Sequence, residues 1–152
     1  MAESLSPSWP QVAVAILEQD GKFLMQLRDD NPEILYPGHW CFFGGHLEPG
    51  ESAAIAVQRE LLEEIGYCPT HLELWRREED THLTRHLYYG KLDVSLERLI
   101  LGEGMDMALV SPTEIRQGSC YSTKIQEWRP LGKPHQQMLC ELIDQLNTLG
   151  AP

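Results

Sequence analysis

Glu60, Glu63 and Glu64 stand at spacings of three and four in a segment that opens at Gly44-Gly45 and closes at Gly66. Such spacings return to one side of an α-helix, so at about 100° per residue the three carboxylates share one sector of roughly 100°. The spacing predicts a helix over Ser52 to Ile65, with Gly66 in the C-terminal position. Ala53 and Ala56 lie on the acidic stripe one and two turns earlier and leave the acids unobstructed, while Ala54, Val57, Leu61 and Ile65 form an apolar stripe able to dock on a sheet. Like charges crowded on one turn cost stability unless something neutralises them. A hard cation with oxygen ligands does so, and Mg²⁺ prefers carboxylates, retained waters and phosphates. The glycines at 44, 45 and 50 let the preceding loop turn sharply and approach a ligand. Taken alone, the same run of acids also reads as a solvated helix face.

Around this segment the chain reads as a series of strands and helices. Residues 1–10, rich in Ser and Pro, read as a flexible leader from which Trp9 could pack onto the body; residues 11–152 read as one domain, since 152 residues with 42% hydrophobic content bury a single sizeable core. Val12 to Glu18 and Phe23 to Arg28 read as strands joined by an Asp20-Gly21 hairpin turn. Asp29 to Gly38 is a loop, and Trp40 to Phe43 a short apolar strand. Leu72 to Arg77 and Leu83 to Asp93 alternate as strands around a turn at Glu78 to Thr81, and Met105 to Val110 follows as another. Ser111, Pro112 and Glu114 announce a short capped helix. Gly118 to Gly132 reads as a loop, and Pro134 to Asn147 as an amphipathic helix with Leu139, Leu142, Ile143 and Leu146 on its apolar side. Strands interleaved with helices predict an α/β fold, an α/β/α sandwich around a mixed β-sheet.

Charge narrows the function. Twelve basic and 23 acidic residues give a formal charge of −11, which disfavours nucleic acid or an anionic membrane as partner. An anionic substrate would need a cation to screen it. Cys41, Cys68, Cys120 and Cys140 contain no C-x-x-C pair, no apolar run reaches the roughly 18 residues of a membrane span, and the expected location is the cytoplasm.

The segment as a whole resembles the Nudix signature, G-x5-E-x7-R-E-U-x-E-E-x-G-U with U a bulky apolar residue, at Gly45, Glu51, Arg59, Glu60, Leu61, Glu63, Glu64 and Gly66, with the aromatic Tyr67 in the last position. Seven such identities arise by chance at a given start about once in 10⁸ at ordinary residue frequencies. The order of strands and helices over residues 10 to 147 follows the Nudix fold as well. The resemblance implies a MutT-like hydrolase of a nucleoside diphosphate linkage that uses Mg²⁺ or Mn²⁺, with a small nucleotide as substrate and a homodimer as an assembly compatible with the sequence. It makes Glu60, Glu63 and Glu64 metal ligands, Gly45 a source of a backbone carbonyl, and Glu51, Arg59 and Gly66 the support of loop and helix. Glu103, in Gly102-Glu103-Gly104-Met105, resembles a loop element that supplies an extra ligand or the general base, although Met105 stands where glutamine is common. Phe43 replaces the usual proline before Gly44-Gly45, so its ring either packs under the loop or faces the substrate.

Other residues carry weaker expectations. On a strand His82 and His86 lie about 13 Å apart, too far to share an ion, so one of Arg85 and His86 is expected to face the substrate. His39 and His46 are loop residues able to approach a phosphate. Tyr36, Trp40, Tyr88 and Tyr89 are aromatic candidates for stacking on a base or for the core. A proline 15 residues past the box, the mark of ADP-ribose enzymes in the family, is replaced by His82, and no basic patch suits capped RNA. The favoured substrate is a nucleoside triphosphate or a nucleotide sugar. The alternatives are a nucleotide-binding or sensing module without turnover, and an isoprenoid diphosphate isomerase that would lean on Cys41.

Overall fold

The computed structural model describes residues 10–80 and 82–150; the expected leader falls almost wholly outside them, as does Thr81 of the expected turn. Strand β1 (Gln11–Gln19) and β2 (Lys22–Leu27) form the expected hairpin. Asp20 and Gly21 both have positive φ, 53° and 81°, the backbone of a two-residue turn whose twist matches the flanking strands. The two strands pair only at Glu18 with Phe23 and Gln19 with Lys22, then diverge. The gap is filled by what the sequence suggested was one strand and is in fact two: β3 (Trp40–Cys41) pairs with β2, and β4 (Phe43–His46) pairs with β1. A single extended run cannot follow both diverging partners, so the chain breaks at Phe42.

Helix α1 (Ala53–Ile65) follows, its first turn capped by Ser52, whose side chain accepts from the Ile55 amide, and its end closed by Gly66 at φ 68°. A cap of this kind contributes about 1 kcal/mol. Strands β5 (Glu73–Glu79) and β6 (Thr84–Lys91) complete one side of the sheet, β6 running parallel to β1 along its length. Strand β7 (Asp106–Val110) pairs with β2 and leads into α2 (Pro112–Gln117), where Ser111 and Glu114 form a full capping box. The segment expected as a loop from Gly118 to Gly132 instead holds a hairpin, β8 (Ser119–Ser122) with β9 (Glu127–Pro130), before α3 (Lys133–Gly150).

Period-2 alternation sorts the sheet residues between two cores. Ala13, Ala15, Leu17, Leu24, Phe43 and Tyr88 pack with Val57, Leu61 and Ile65 of α1. Ile16, Phe23, Met25, Leu27, Phe42 and Leu87 pack with Ile115 of α2 and Leu139, Leu142 and Ile143 of α3. Each fully buried Leu or Ile contributes about 1.5–3 kcal/mol. The result is the expected mixed sheet with helices on both faces. Among the described residues no helix is long and apolar enough to cross a membrane.

Candidate active site

The divergence of β1 from β2 opens a cavity of about 870 Å³ over the N-terminal half of β1, with Val12, Val14 and Leu87 as its sheet floor. Helix α1 brings Glu60 and Glu64 to its wall. Glu64 Oε1 accepts from the Gly44 amide at 3.0 Å, which ties the helix to β4. Gly45 packs so closely that a Cβ there would lie 2.5 Å from the Glu60 carboxylate, and only glycine permits this approach. Glu103 faces the same cavity from a loop held at two points: the Gly102 amide donates to Glu64 O at 2.8 Å, and the Met105 amide to Leu27 O at 2.7 Å.

Arg59 lies off the acidic sector and supports it. Its Nε donates to Glu51 Oε2 at 2.7 Å and Nη2 to Glu51 Oε1 at 2.9 Å, while Nη1 reaches Glu60 Oε2 at 3.0 Å and Nη2 the His46 carbonyl at 3.2 Å. The Arg59 guanidinium holds the Glu51 carboxyl down at about 2, helped by the Glu48 backbone, and Glu51 in turn raises Arg59. Burial pushes Glu64 up to about 8, reinforced by the charges of Glu60 and Glu103 against the pull of the Gly44 amide and Arg28. Burial raises Glu60 too, against Arg59 and with Glu63 and Glu103.

The expected convergence of three box glutamates is only partly present. Glu63 does not line the cavity; its side chain is 60% exposed and meets Arg59 Nη1 at 3.4 Å. At the edge of the sector, the nearby guanidinium outcompetes the acidic wall for it. Among the described residues no three His, Cys, Asp or Glu side chains are gathered as they stand into a metal-holding group. The carboxylates of Glu60 and Glu64 are crowded and partly buried, and burial with the neighbouring acids outweighs Arg59 and Arg28 in raising both; such oxygen donors are the chemistry a hard divalent cation fits.

The same cavity is lined by a cationic and aromatic set as well, Arg28, Arg85, Tyr36, Phe42 and His135, with Met138 beside them. Of the expected substrate residues, Tyr36 and Arg85 are there, with Arg85 held by Asp80 at 2.8 Å. His86 and Phe43 are not. The parallel register pairs Arg85 with Val12 on the cavity face and His86 with Ala13 on the other, where His86 meets Gln11. Phe43 is 1% exposed in the core beneath α1, and its neighbour Phe42 faces the cavity instead. Trp40 and Tyr88 are core residues, His46 lines the cavity, and His39 bonds the Pro37 carbonyl. Sequence reasoning missed Arg28 and His135. Gly132 and Pro134 ahead of His135 mark a helix start but carry no hint of what the helix packs against.

A family profile for the NUDIX domain matches residues 7–129. The chain is similar to nucleoside triphosphatase NudI of Escherichia fergusonii, at 26% identity over 121 residues that cover 70% of this chain and 84% of that protein. A shorter stretch of 56 residues is 45% identical to CTP pyrophosphohydrolase of Escherichia coli, covering 37% of this chain and 40% of that one. In fold it resembles the NUDIX domain of Shewanella oneidensis NrtR complexed with ADP ribose, with a TM-score of 0.71 at 16% identity over 95% of this chain and 92% of the other. It also resembles the MutT protein of Methanosarcina mazei, with a TM-score of 0.65 at 22% identity over 93% and 99% of the two chains.

Proposed function

Since this chain belongs to the NUDIX domain family, we propose that it is a Mg²⁺-dependent pyrophosphohydrolase that cleaves a diphosphate bond in a nucleoside triphosphate or a nucleotide sugar. Members of the family are generally pyrophosphohydrolases and generally use divalent metal ions. The observation that carries the reading is a cavity whose lining holds Glu60, Glu64 and Glu103 together with Arg28, Arg85 and Tyr36.

Glu60 and Glu64, with the Gly45 carbonyl and with Glu63 once released from Arg59, would hold Mg²⁺ or Mn²⁺. When bound, that ion neutralises phosphoryl charge and lowers the pKa of a bound water. Glu103, on the facing loop, is the candidate to take the proton of the attacking water or to add a ligand. The Arg59 fork keeps Glu51 and the Gly45 loop in register with α1. Arg28 and Arg85 meet substrate phosphates that the surrounding acids would otherwise repel. Cys41, on which isomerisation would rest, has a buried thiol pushed up to about 12 by desolvation and is a poor proton donor. The reading locates the enzyme in the cytoplasm, where four unpaired cysteines stay reduced.

A second reading, a sensing module without turnover, draws support from the outward position of Glu63. One experiment separates the two. Screening about twenty nucleoside diphosphate compounds with Mg²⁺ is expected to yield phosphate-containing product from at least one, and the Glu64→Gln variant to lose at least about 100-fold in kcat. Ligand retention without product would select the sensor, and unimpaired turnover in Glu64→Gln would remove Glu64 from the site.

A further inference from the structure

His135 is a polar group of the cavity with no assigned part in the reaction, and its surroundings prepare it to meet a ligand. The ring sits in the first turn of α3, which starts where the Gly132 amide donates to the Trp40 carbonyl at 3.0 Å and the Gln136 amide to the Gly132 carbonyl at 2.9 Å. A Cβ at residue 132 would stand 2.9 Å from His135 Cδ2, so the glycine makes room for the imidazole. The backbone amide of Phe42 donates to Nδ1 at 3.2 Å. An Nδ1 that accepts carries no proton, and the neutral ring therefore bears its hydrogen on Nε2. No group among the described residues bonds Nε2, while the ring lines the cavity.

The ring is kept neutral from every side. Burial disfavours the imidazolium, Arg85, Arg28 and His39 repel it, and together they hold His135 near 3. The positive end of the helix acts in the same direction. The ring is also locked in orientation, with Phe42 at 4.7 Å between centroids and Tyr36 perpendicular to it at 5.9 Å. Tyr36 itself holds a φ of 53°, a left-handed conformation rare for a bulky side chain, and this conformation sets its ring between His135 and His39. A neutral donor with a fixed tautomer, set among aromatic faces in the lining of the cavity, suits a flat heteroaromatic ring with an in-plane acceptor.

We propose that His135 and Tyr36 form the base-recognition wall of the cavity, with His135 Nε2–H donating to a ring nitrogen or carbonyl of a nucleobase seated against Tyr36. The assignment rests on the nucleotide reading of the site and adds a residue that decides which nucleotide is accepted. Binding of AMP, GMP, CMP and UMP, with ribose 5-phosphate as the base-free probe and Mg²⁺ present throughout, tests it without any turnover. At least one monophosphate is expected to bind about tenfold or more tightly than ribose 5-phosphate. His135→Phe is expected to erase that preference and leave ribose 5-phosphate binding unchanged, and His135→Gln, which keeps an N–H, to recover part of it. In the wild-type protein labelled with ¹⁵N-histidine, the Nε2 resonance of His135 is expected to move with the monophosphate and stay still with ribose 5-phosphate. The assignment is overturned if no monophosphate outbinds ribose 5-phosphate, if His135→Phe keeps the preference, or if the bound monophosphate leaves Nε2 unmoved. A protein that binds monophosphates through His135 but hydrolyses no diphosphate loses the proposed reaction and keeps the base site; normal turnover with unchanged KM in His135→Phe does the reverse.

Discussion

Arg59 and Glu51, eight residues apart and on opposite sides of the start of α1, meet fork to fork through two hydrogen bonds of 2.7 and 2.9 Å. The pair joins the loop after β4 to the helix that carries the acids, and the same guanidinium reaches Glu60. Lysine keeps the charge but cannot make the planar two-point contact or reach the His46 carbonyl at the same time. Arg59→Lys is therefore expected to lower kcat by about 10- to 100-fold while the far-ultraviolet circular dichroism stays native. Because Glu51 is held near 2, below its ordinary 4.5, the pair contributes above pH 4.5 and is lost as pH falls toward 2. Unchanged kcat in Arg59→Lys would show the fork to be dispensable.

Glu64 gives the opposite pH dependence. Its carboxyl is raised from 4.5 to about 8, first by burial and then by Glu60. A group whose pKa rises on folding favours the folded state at low pH, and that advantage is lost as pH climbs from 4.5 through 8. Metal-free protein is thus expected to lose up to about 1.4 kcal/mol per pH unit from this group between those values. Mg²⁺ added at pH 8 should restore stability by compensating the charge. Glu64→Gln should flatten the pH dependence and abolish the Mg²⁺ effect, measured by urea unfolding with and without chelator. A wild-type curve that matches the variant would refute the crowding of charge.

Adjacent glycines separate function from folding. The atoms nearest a Cβ at Gly45 belong to the side-chain carboxylate of Glu60, whereas one at Gly44, where φ is 149°, overlaps the Ala13 carbonyl and the Val14 backbone in the neighbouring strand. Gly45→Ala is expected to keep its melting temperature and lose metal affinity and activity by about tenfold or more. Gly44→Ala is expected to cost about 1–3 kcal/mol of stability, because backbone of β1 must shift. Melting curves beside Mg²⁺ titrations check both, and a reversal of the two phenotypes would contradict the geometry.

What was legible in the sequence was local chemistry. Asp20-Gly21, Ser52, Gly66 and the Ser111 box each act on residues within one turn, and each stands where its sequence pattern put it. The helical stripes put Val57, Leu61 and Ile65 of α1 and Leu139, Leu142 and Ile143 of α3 against the sheet, whereas Ala54, expected on the apolar stripe, is exposed, and Ala56, expected on the acidic one, is buried because the sheet reaches around to its side of the helix. The hairpin of β8 and β9 was illegible because its turn places Gln126 at φ 59° without a glycine, and because its register is held from afar by Asp106, which accepts from Ser122 Oγ at 2.6 Å. The sequence leaves open whether Phe43 packs under the loop or faces the substrate; it packs in the core and Phe42 lines the cavity, an outcome set at the break between β3 and β4, which only the divergence of β1 and β2 dictates. Arg28 and His135 come to the cavity from elements 107 residues apart in the chain, and no window of sequence contains both.

His135 also leaves a mark on stability. Its folded value near 3 lies below the ordinary 6.5, so between those limits the unfolded chain takes up a proton that the folded ring refuses. Stability contributed through this residue is complete above pH 6.5 and falls as pH drops toward 3, by up to about 1.4 kcal/mol per pH unit. Carboxylates titrate in the same window, so the informative quantity is the difference between wild type and His135→Gln, which cannot be protonated there. The variant is expected to gain on the wild type steadily from pH 6.5 to pH 4, measured as the difference in unfolding midpoint in urea. A difference constant across that range would mean that His135 protonates freely in the folded state. The Nδ1 acceptor bond from Phe42, and with it the tautomer that puts a donor in the cavity, would then be lost in acid.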